Sequence, residues 1–334
     1  MKILIVDDSA LLRGILKQTL LAHGSVKMVV EASNGKIAVE KNMSEKPDLI
    51  IMDINMPVMD GITATREIMS RRPVPVMIFS NELDARNSFT ALEYGALDLM
   101  KKPDIDQINN PDFCRAFVDR LRELASSLPK DRYEAALGDE AKTTAGKGFD
   151  MIVMGASTGG PLAIGSIIST LPASFPLGIV IVQHMETGFD QSFASWLNDD
   201  TPLTVRLAKD DDFPAPGEVL IAPASHHLLF RNSRLALDDG PKVLNQKPSV
   251  DVLFSSAALQ FRERLIGVLL TGMGSDGAKG CVDIKQNGGT TLVQDADTST
   301  IFGMPKSAIR LGGASRVLPL DKISETLLAL AGSA

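Results

Sequence analysis

The chain has 334 residues, too many for one small domain and comfortable for two. Hydrophobic residues make up 44% and charged residues 22%, the balance of a soluble globular protein. The formal net charge of -7 leaves no basic stripe to meet phosphates, which argues against nucleic acid as a partner. The two cysteines, Cys114 and Cys281, lack metal-ligand spacing and fit a reducing compartment. Residues 1–6 are too short for a signal-peptide core, and no apolar stretch is long enough to cross a bilayer. A cytoplasmic protein that is not membrane-inserted is expected.

The first third alternates strands and helices. Residues 2–6 read as a short apolar strand, and 10–22 as a helix with Leu11, Leu12, Ile15, Leu16 and Leu20 on related faces. Strands are predicted at 26–31, 49–52, 74–79 and 97–100, and helices at 35–42, 61–71, 85–94 and 112–124. Five strands alternating with five helices predict a parallel sheet covered on both faces. From 126 to 148 the periodicity fades into Ala, Lys, Asp, Glu, Thr and Gly, so a linker is expected, with a helical turn near 133–137.

A second alternating pattern starts at Phe149. Strands are predicted at 151–154, 177–182, 218–222, 265–270 and 290–294. Helices are predicted at 161–170, 191–199, 250–261, 277–287, 304–311 and 320–330, with a hairpin pairing 228–230 and 235–237. The expected fold class is therefore α/β, with two doubly wound parallel-sheet domains. The expected division is a first domain over 1–122, a linker over 123–148 and a second domain over 149–334.

Asp7 and Asp8 end the first predicted strand, and Asp53 ends the third. These strands are neighbours in a doubly wound sheet, so three carboxylates converge and repel one another. A hard divalent cation such as Mg²⁺ relieves that cost through oxygen ligands. Ser80 and Lys102 end the fourth and fifth strands, where a hydroxyl and an ammonium can grip a phosphoryl group on Asp53. Any one of these residues alone reads as a helix cap or strand terminator; five at one edge read as a site.

Val6-Asp7-Asp8-Ser9, the stretch from Met52-Asp53 to Asp60-Gly61, Ser80 and Lys102-Pro103 together resemble the receiver domain of bacterial response regulators, over roughly the first 120 residues. The resemblance implies a flavodoxin-like fold and an Asp53 that accepts a phosphoryl group from a histidine kinase. It implies Mg²⁺ held by Asp8, Asp53 and the Asn55 carbonyl with Asp7 in support. Ser80 and Lys102 would bind the phosphoryl oxygens, and the Lys102–Pro103 bond is expected to be cis. One position departs from the family pattern: Leu99 stands where receivers usually carry an aromatic switch residue.

In the second pattern, Gly155-Ala156-Ser157-Thr158-Gly159-Gly160 follows an apolar run and has the form G-x-S-x-G, a nucleophile elbow. His184 also follows an apolar run, and Asp276 lies in the glycine-rich stretch after a third. A serine hydroxyl needs a base, which His184 can be, and Asp276 can fix the imidazole tautomer. The Met273 amide is a candidate oxyanion donor, and Thr158 a candidate hydrogen-bonding neighbour of His184. Each feature alone has a plainer reading: a tight turn, a structural histidine, a helix-capping acid. Together they sit on one predicted sheet edge.

The order Ser…His…Asp differs from the Ser…Asp…His of α/β-hydrolases. A dinucleotide loop would need a glycine at position 157 and a ribose-binding acid roughly 20 residues on, where the chain is apolar. A binding scaffold without turnover is the other alternative. His226 and His227 read as solvated or packed loop residues, with a place lining the site as the alternative, and His23 reads as a helix-end residue.

The elbow, Gln183-His184-Met185, Lys247-Pro248-Ser249-Val250-Asp251, Thr271-Gly272-Met273-Gly274-Ser275-Asp276-Gly277 and Phe302-Gly303-Met304-Pro305-Lys306-Ser307 resemble the catalytic domain of the chemotaxis protein-glutamate methylesterases, from Phe149 to about Leu330. That implies a Rossmann-like α/β domain with a Ser157, His184, Asp276 triad and no cofactor. The substrate would be the glutamyl methyl ester, or glutamine amide, of a methyl-accepting chemoreceptor's cytoplasmic domain. It further implies that the unphosphorylated receiver covers the active site and that phosphoryl-Asp53 loosens this cover. Met185-Glu186-Thr187-Gly188-Phe189 stands where the family more often has a proline-containing loop.

Overall fold

The computed structural model describes residues 1–80, 85–127 and 148–332. The chain divides into two compact units, Met1–Lys130 and Asp131–Ala334. The helical turn expected near 133–137 and most of the expected linker lie outside the described residues.

In the first unit the elements run β1 (Lys2–Val6), α1 (Ala10–Ala22), β2 (Met28–Ala32), α2 (Gly35–Glu45), β3 (Leu49–Asp53), α3 (Gly61–Arg71), β4 (Val76–Ser80), α4 (Ala85–Glu93), β5 (Asp98–Lys101), α5 (Ile105–Ile108) and α6 (Pro111–Ala125). All strands pair in parallel in the order β2-β1-β3-β4-β5. β3 and β4 are buried along their whole length, which is why they read as unbroken apolar runs. Polar side chains start the helices: Ser9 caps α1, Asn34 caps α2, Asp60 caps α3 and Asn110 caps α6. His23 closes α1 at its C-cap, as expected of a helix-end residue.

Two readings of this unit are corrected. The four-residue helix α5 was not expected, because it is too short to show periodicity. It is stabilised instead by a reciprocal cap in which Gln107 N donates to Asp104 Oδ1 and Asp104 N to Gln107 Oε1. The Lys102–Pro103 peptide is trans, and the cis bond among the described residues is Lys247–Pro248. Cis and trans X–Pro bonds differ by only about 0.5–1 kcal/mol before tertiary context acts, so residue identity does not select the isomer.

The second unit runs β6 (Met151–Ala156), α7 (Gly160–Ile168), β7 (Gly178–Gln183), α8 (Asp190–Asp200), β8 (Thr204–Leu207), β9 (Glu218–Ile221), β10 (His227–Arg231), β11 (Arg234–Asp238), α9 (Val250–Phe261), β12 (Leu265–Leu269), α10 (Ala278–Gln286), β13 (Thr290–Gln294), α11 (Met304–Arg310), β14 (Arg316–Leu318) and α12 (Leu320–Ala331). Seven parallel strands stand in the order β14-β13-β12-β6-β7-β9-β8, and β10 and β11 form a separate antiparallel hairpin. The chain winds from β6 out through β7 to β8 and β9, then returns to β12 on the other side of β6. That makes the β6–β12 boundary the topological switch point, where crevices open at the strands' carboxyl ends. A core that includes Val153, Val180, Leu253, Phe254 and Leu269 packs α9 and α10 against this sheet.

The edge strands β8 and β14 were not expected. β8 carries Arg206, which pairs with Asp212 and Glu218, and β14 has three half-buried residues, so neither shows a strand's apolar pattern.

Candidate active site and acidic pocket

The carboxyl ends of β6, β7 and β12 bring Ser157, His184 and the 271–277 loop to the switch point. Glycine governs how Ser157 leaves β6. A Cβ on Gly155 would run into Val250, and one on Gly160 would run into Gln183 Oε1. Gly159 takes a φ of 77°, a conformation that side-chain-bearing residues rarely adopt. Ser157 N donates to Thr271 O at 3.0 Å, and a Cβ on Gly272 would lie 2.8 Å from Ser157 Cβ. The loop bearing Asp276 is thus laced directly to the elbow.

His184 Nε2 lies 2.8 Å from Asp276 Oδ2, and both side chains are buried. An ionised carboxylate only accepts, so Nε2 carries a proton, and in the neutral imidazole the lone pair is then on Nδ1. His184 Nδ1 is buried and has no hydrogen-bond partner among the described residues. Burial works to raise the Asp276 carboxyl's pKa. The His184 hydrogen bond and backbone amides of Val250 and Asp251 outweigh it and hold the group below its ordinary value.

Met273 is half-buried beside Gly303, and its amide donates no hydrogen bond among the described residues, which leaves it available to a developing oxyanion. Thr158 is buried, and its carbonyl accepts the Thr271 hydroxyl at 2.9 Å.

Three polar residues near this site escaped the sequence reading. Gln183 Nε2 donates to the carbonyls of both Ser157 and His184, each at 2.9 Å, and so ties the Ser157 turn to the His184 backbone. Ser249 donates its hydroxyl to Asp276 Oδ1 at 2.8 Å. His227, expected on a loop, is a buried residue at the start of β10, and its Nδ1 accepts the Ser249 amide at 3.1 Å. The motif stretches around Gln183 and Ser249 were visible, but nothing local said what these side chains do. His226 stays at the surface, 3.2 Å from Asp239 Oδ1.

In the first unit, ligand atoms of Asp7, Asp8 and Asp53 lie within 4.8 Å of one another. Asp7 and Asp53 are buried and Asp8 is exposed. Lys102 Nζ lies 2.8 Å from Asp53 Oδ2 and 2.9 Å from Asp7 Oδ2. Beyond Lys102, the buried Asp7 Oδ2 has no hydrogen-bond donor among the described residues. Desolvation raises the Asp53 carboxyl's pKa, with Asp7 adding to the rise and Lys102 opposing it. Desolvation disfavours the charged Lys102, yet its two carboxylate partners keep its pKa above the usual value. Oxygen donors at this spacing fit a hard divalent cation. Ser80 is buried at the end of β4, where its carbonyl accepts the Lys102 amide at 3.0 Å, and Asn55 is exposed just past Asp53. Leu99 is half-buried in β5, and its carbonyl accepts from Arg120.

Comparison with known proteins matches the same two regions. Residues 152–327 match the family described as CheB methylesterase, and residues 3–110 match the response regulator receiver domain. A protein-glutamate methylesterase/protein-glutamine glutaminase of Symbiobacterium thermophilum is 38% identical, over 99% of this chain and 97% of that protein. One of the same name from Archaeoglobus fulgidus is also 38% identical, over 98% of this chain and 97% of its own. The crystal structure of the Thermotoga maritima CheB methylesterase catalytic domain is similar to the second unit. It superposes with a TM-score of 0.53 at 43% identity, covering 55% of this chain and all of that one. Among the described residues, no helix is long and apolar enough to cross a membrane.

Proposed function

Because the chain belongs to the CheB methylesterase family and carries a receiver domain, we propose that it is a phosphorylation-activated protein-glutamate methylesterase and protein-glutamine glutaminase of chemotaxis adaptation, working in the cytoplasm. The observation that carries this reading is the His184–Asp276 hydrogen bond beside the Ser157 elbow at the switch point. In this reading Ser157 Oγ attacks the carbonyl carbon of a glutamyl methyl ester and passes its proton to His184 Nδ1. That nitrogen has no hydrogen-bond partner among the described residues, and in the neutral ring it carries the lone pair. Asp276 holds the opposite proton and stabilises the imidazolium, while the Met273 amide receives the oxyanion and Thr158 supports the imidazole. Methanol leaves with the proton from His184, water hydrolyses the acyl-enzyme, and carboxylate is released. A glutamine side chain follows the same course and releases ammonia.

In the receiver, Asp53 is the phosphoacceptor and a histidine kinase its donor. Asp8, Asp53 and the Asn55 carbonyl would hold Mg²⁺, with Asp7 in support. The ion's chemistry, when bound, is to neutralise charge on the phosphoryl oxygens. Lys102, now paired with Asp53 and Asp7, would turn to the phosphoryl group together with Ser80. The substrate is the cytoplasmic domain of a methyl-accepting chemoreceptor. The net charge of -7 supports a protein partner over a nucleic acid. We divide the chain into a receiver over 1–122, a linker over 123–148 and a catalytic domain over 149–334. Phosphoryl-Asp53 shifts the protein toward its active state, for which a few kcal/mol of differential stabilisation suffices.

Methanol release from methylated receptor fragment tests both halves. Wild type should release methanol faster after acetyl phosphate and Mg²⁺ are added. Ser157→Ala should lose at least about 1,000-fold of that rate. Asp53→Ala should keep a basal rate that no longer responds. Equal rates in wild type and Ser157→Ala would end the hydrolase reading, and phosphoryl labelling that survives Asp53→Ala would move the acceptor elsewhere.

A further inference from the structure

Asp276 is gripped by far more than His184. Its Oδ1 accepts the Ser249 hydroxyl at 2.8 Å and the amides of Asp251 and Gly277, each at 3.0 Å. Its Oδ2 accepts the Val250 amide at 2.7 Å. Ser249 is the N-cap of α9, and Val250 and Asp251 open that helix. A serine at an N-cap ordinarily accepts from an amide two or three residues on. Ser249 makes no such bond. Asp276, reaching in from another loop, caps the helix instead, and the serine hydroxyl is released to donate to it.

Behind Ser249 stands His227. Its Nδ1 accepts the Ser249 amide at 3.1 Å, and its Nε2 lies 3.0 Å from the Pro241 carbonyl. That pairing requires the proton on Nε2 and a neutral ring. Ser249, His227 and Asp276 are all buried, Ser249 completely. The result is a buried chain of hydrogen bonds from Pro241 through His227, Ser249 and Asp276 to His184.

We infer that Ser249, its amide held by His227, is a positioning residue for the hydrolysis: its hydroxyl sets the rotamer in which Asp276 keeps the proton on His184 Nε2. This inference rests on the hydrolase reading above. A residue that acts only through Asp276 should matter only when Asp276 is an aspartate, and a double-mutant cycle detects that dependence.

The experiment uses the full chain with its phosphodonor and a methylated receptor fragment. Ser249→Ala should lower kcat about 10-fold, with KM within about 2-fold of wild type. In an Asp276→Asn background the same substitution should cost less than about 2-fold. Ser249→Thr, which keeps the hydroxyl, should recover most of kcat. An unchanged kcat in Ser249→Ala overturns the inference, as does an equal loss in both backgrounds, which marks a purely structural cap. Where circular dichroism shows Ser249→Ala unfolded, Ser249→Cys, of near-equal volume with a weak donor, takes its place under the same criteria. Ser157→Ala run alongside separates the two levels: if it retains methanol release, the hydrolase reading itself falls. If it is dead while the cycle is additive, only the role of Ser249 does.

Discussion

Gly272 limits how closely the two loops of the site approach. A Cβ there would meet Ser157 Cβ at 2.8 Å and press on Met304 Sδ. Neither neighbour can retreat without moving the elbow or a buried methionine. Gly272→Ala is therefore expected to cut kcat at least about 10-fold and to destabilise the second unit by about 1–3 kcal/mol. Steady-state kinetics and urea unfolding check this, and a variant with wild-type kcat would show that the loops have slack. At this scale the sequence is uneven. Ser157, His184 and Asp276 were legible because each follows an apolar run that ends where the sheet opens. Ser249, Gln183 and His227 were not, because their meaning lies in bonds to residues distant in the chain, such as Ser249 and Asp276, 27 positions apart. Asp60, in the motif stretch after Asp53, serves as the cap of α3.

Elements with a strong repeating pattern were legible almost to the residue, and α1, α3, α9 and β13 begin and end where the pattern placed them. The short or half-exposed ones, α5, β8 and β14, were not, because a few residues at a sheet edge carry no period. The loop from β3 to α3 holds a local conflict that the pattern also hides. Val58 has a φ of 71° and is 79% exposed. A β-branched residue strains there and gains no burial in return. Val58→Gly should raise the stability of the first unit by about 0.5–1 kcal/mol, the relieved strain exceeding the added unfolded-state entropy. Urea denaturation read on the first unit's transition checks it, and a lower midpoint would mean that the loop's conformation is set by contacts of the Val58 side chain. Gly61, by contrast, is obligatory, since a Cβ there would strike the Asp53 carbonyl.

Across the whole second unit, two neighbouring carboxylates pull stability in opposite directions with pH. Burial pushes the Asp251 carboxyl up to about 6, opposed by the Gly280 amide and assisted by Asp276. It binds a proton more tightly folded than unfolded. Its contribution is therefore fully present below the ordinary 3.8 and is lost as pH rises through about 6. Asp276, held below its ordinary value, contributes above 3.8 and fails only in stronger acid. Asp251→Asn keeps an acceptor for Gly280 and removes the buried charge. Its melting temperature should exceed that of wild type at pH 8, with the difference shrinking toward pH 5. A variant that melts below wild type at pH 8 would show that the charge is not what costs stability. The hydrogen bond from His184 to Asp276 spans 92 residues of chain. At ribosomal rates of about 5–20 residues per second, the histidine is made roughly 5–20 seconds before the aspartate that fixes its tautomer. In the proposed mechanism, a nascent chain therefore carries the nucleophile and its base for that interval without their orienting acid. On that mechanism, hydrolytic competence waits until the strand across the switch point has been synthesised, and an unfinished chain is born inert.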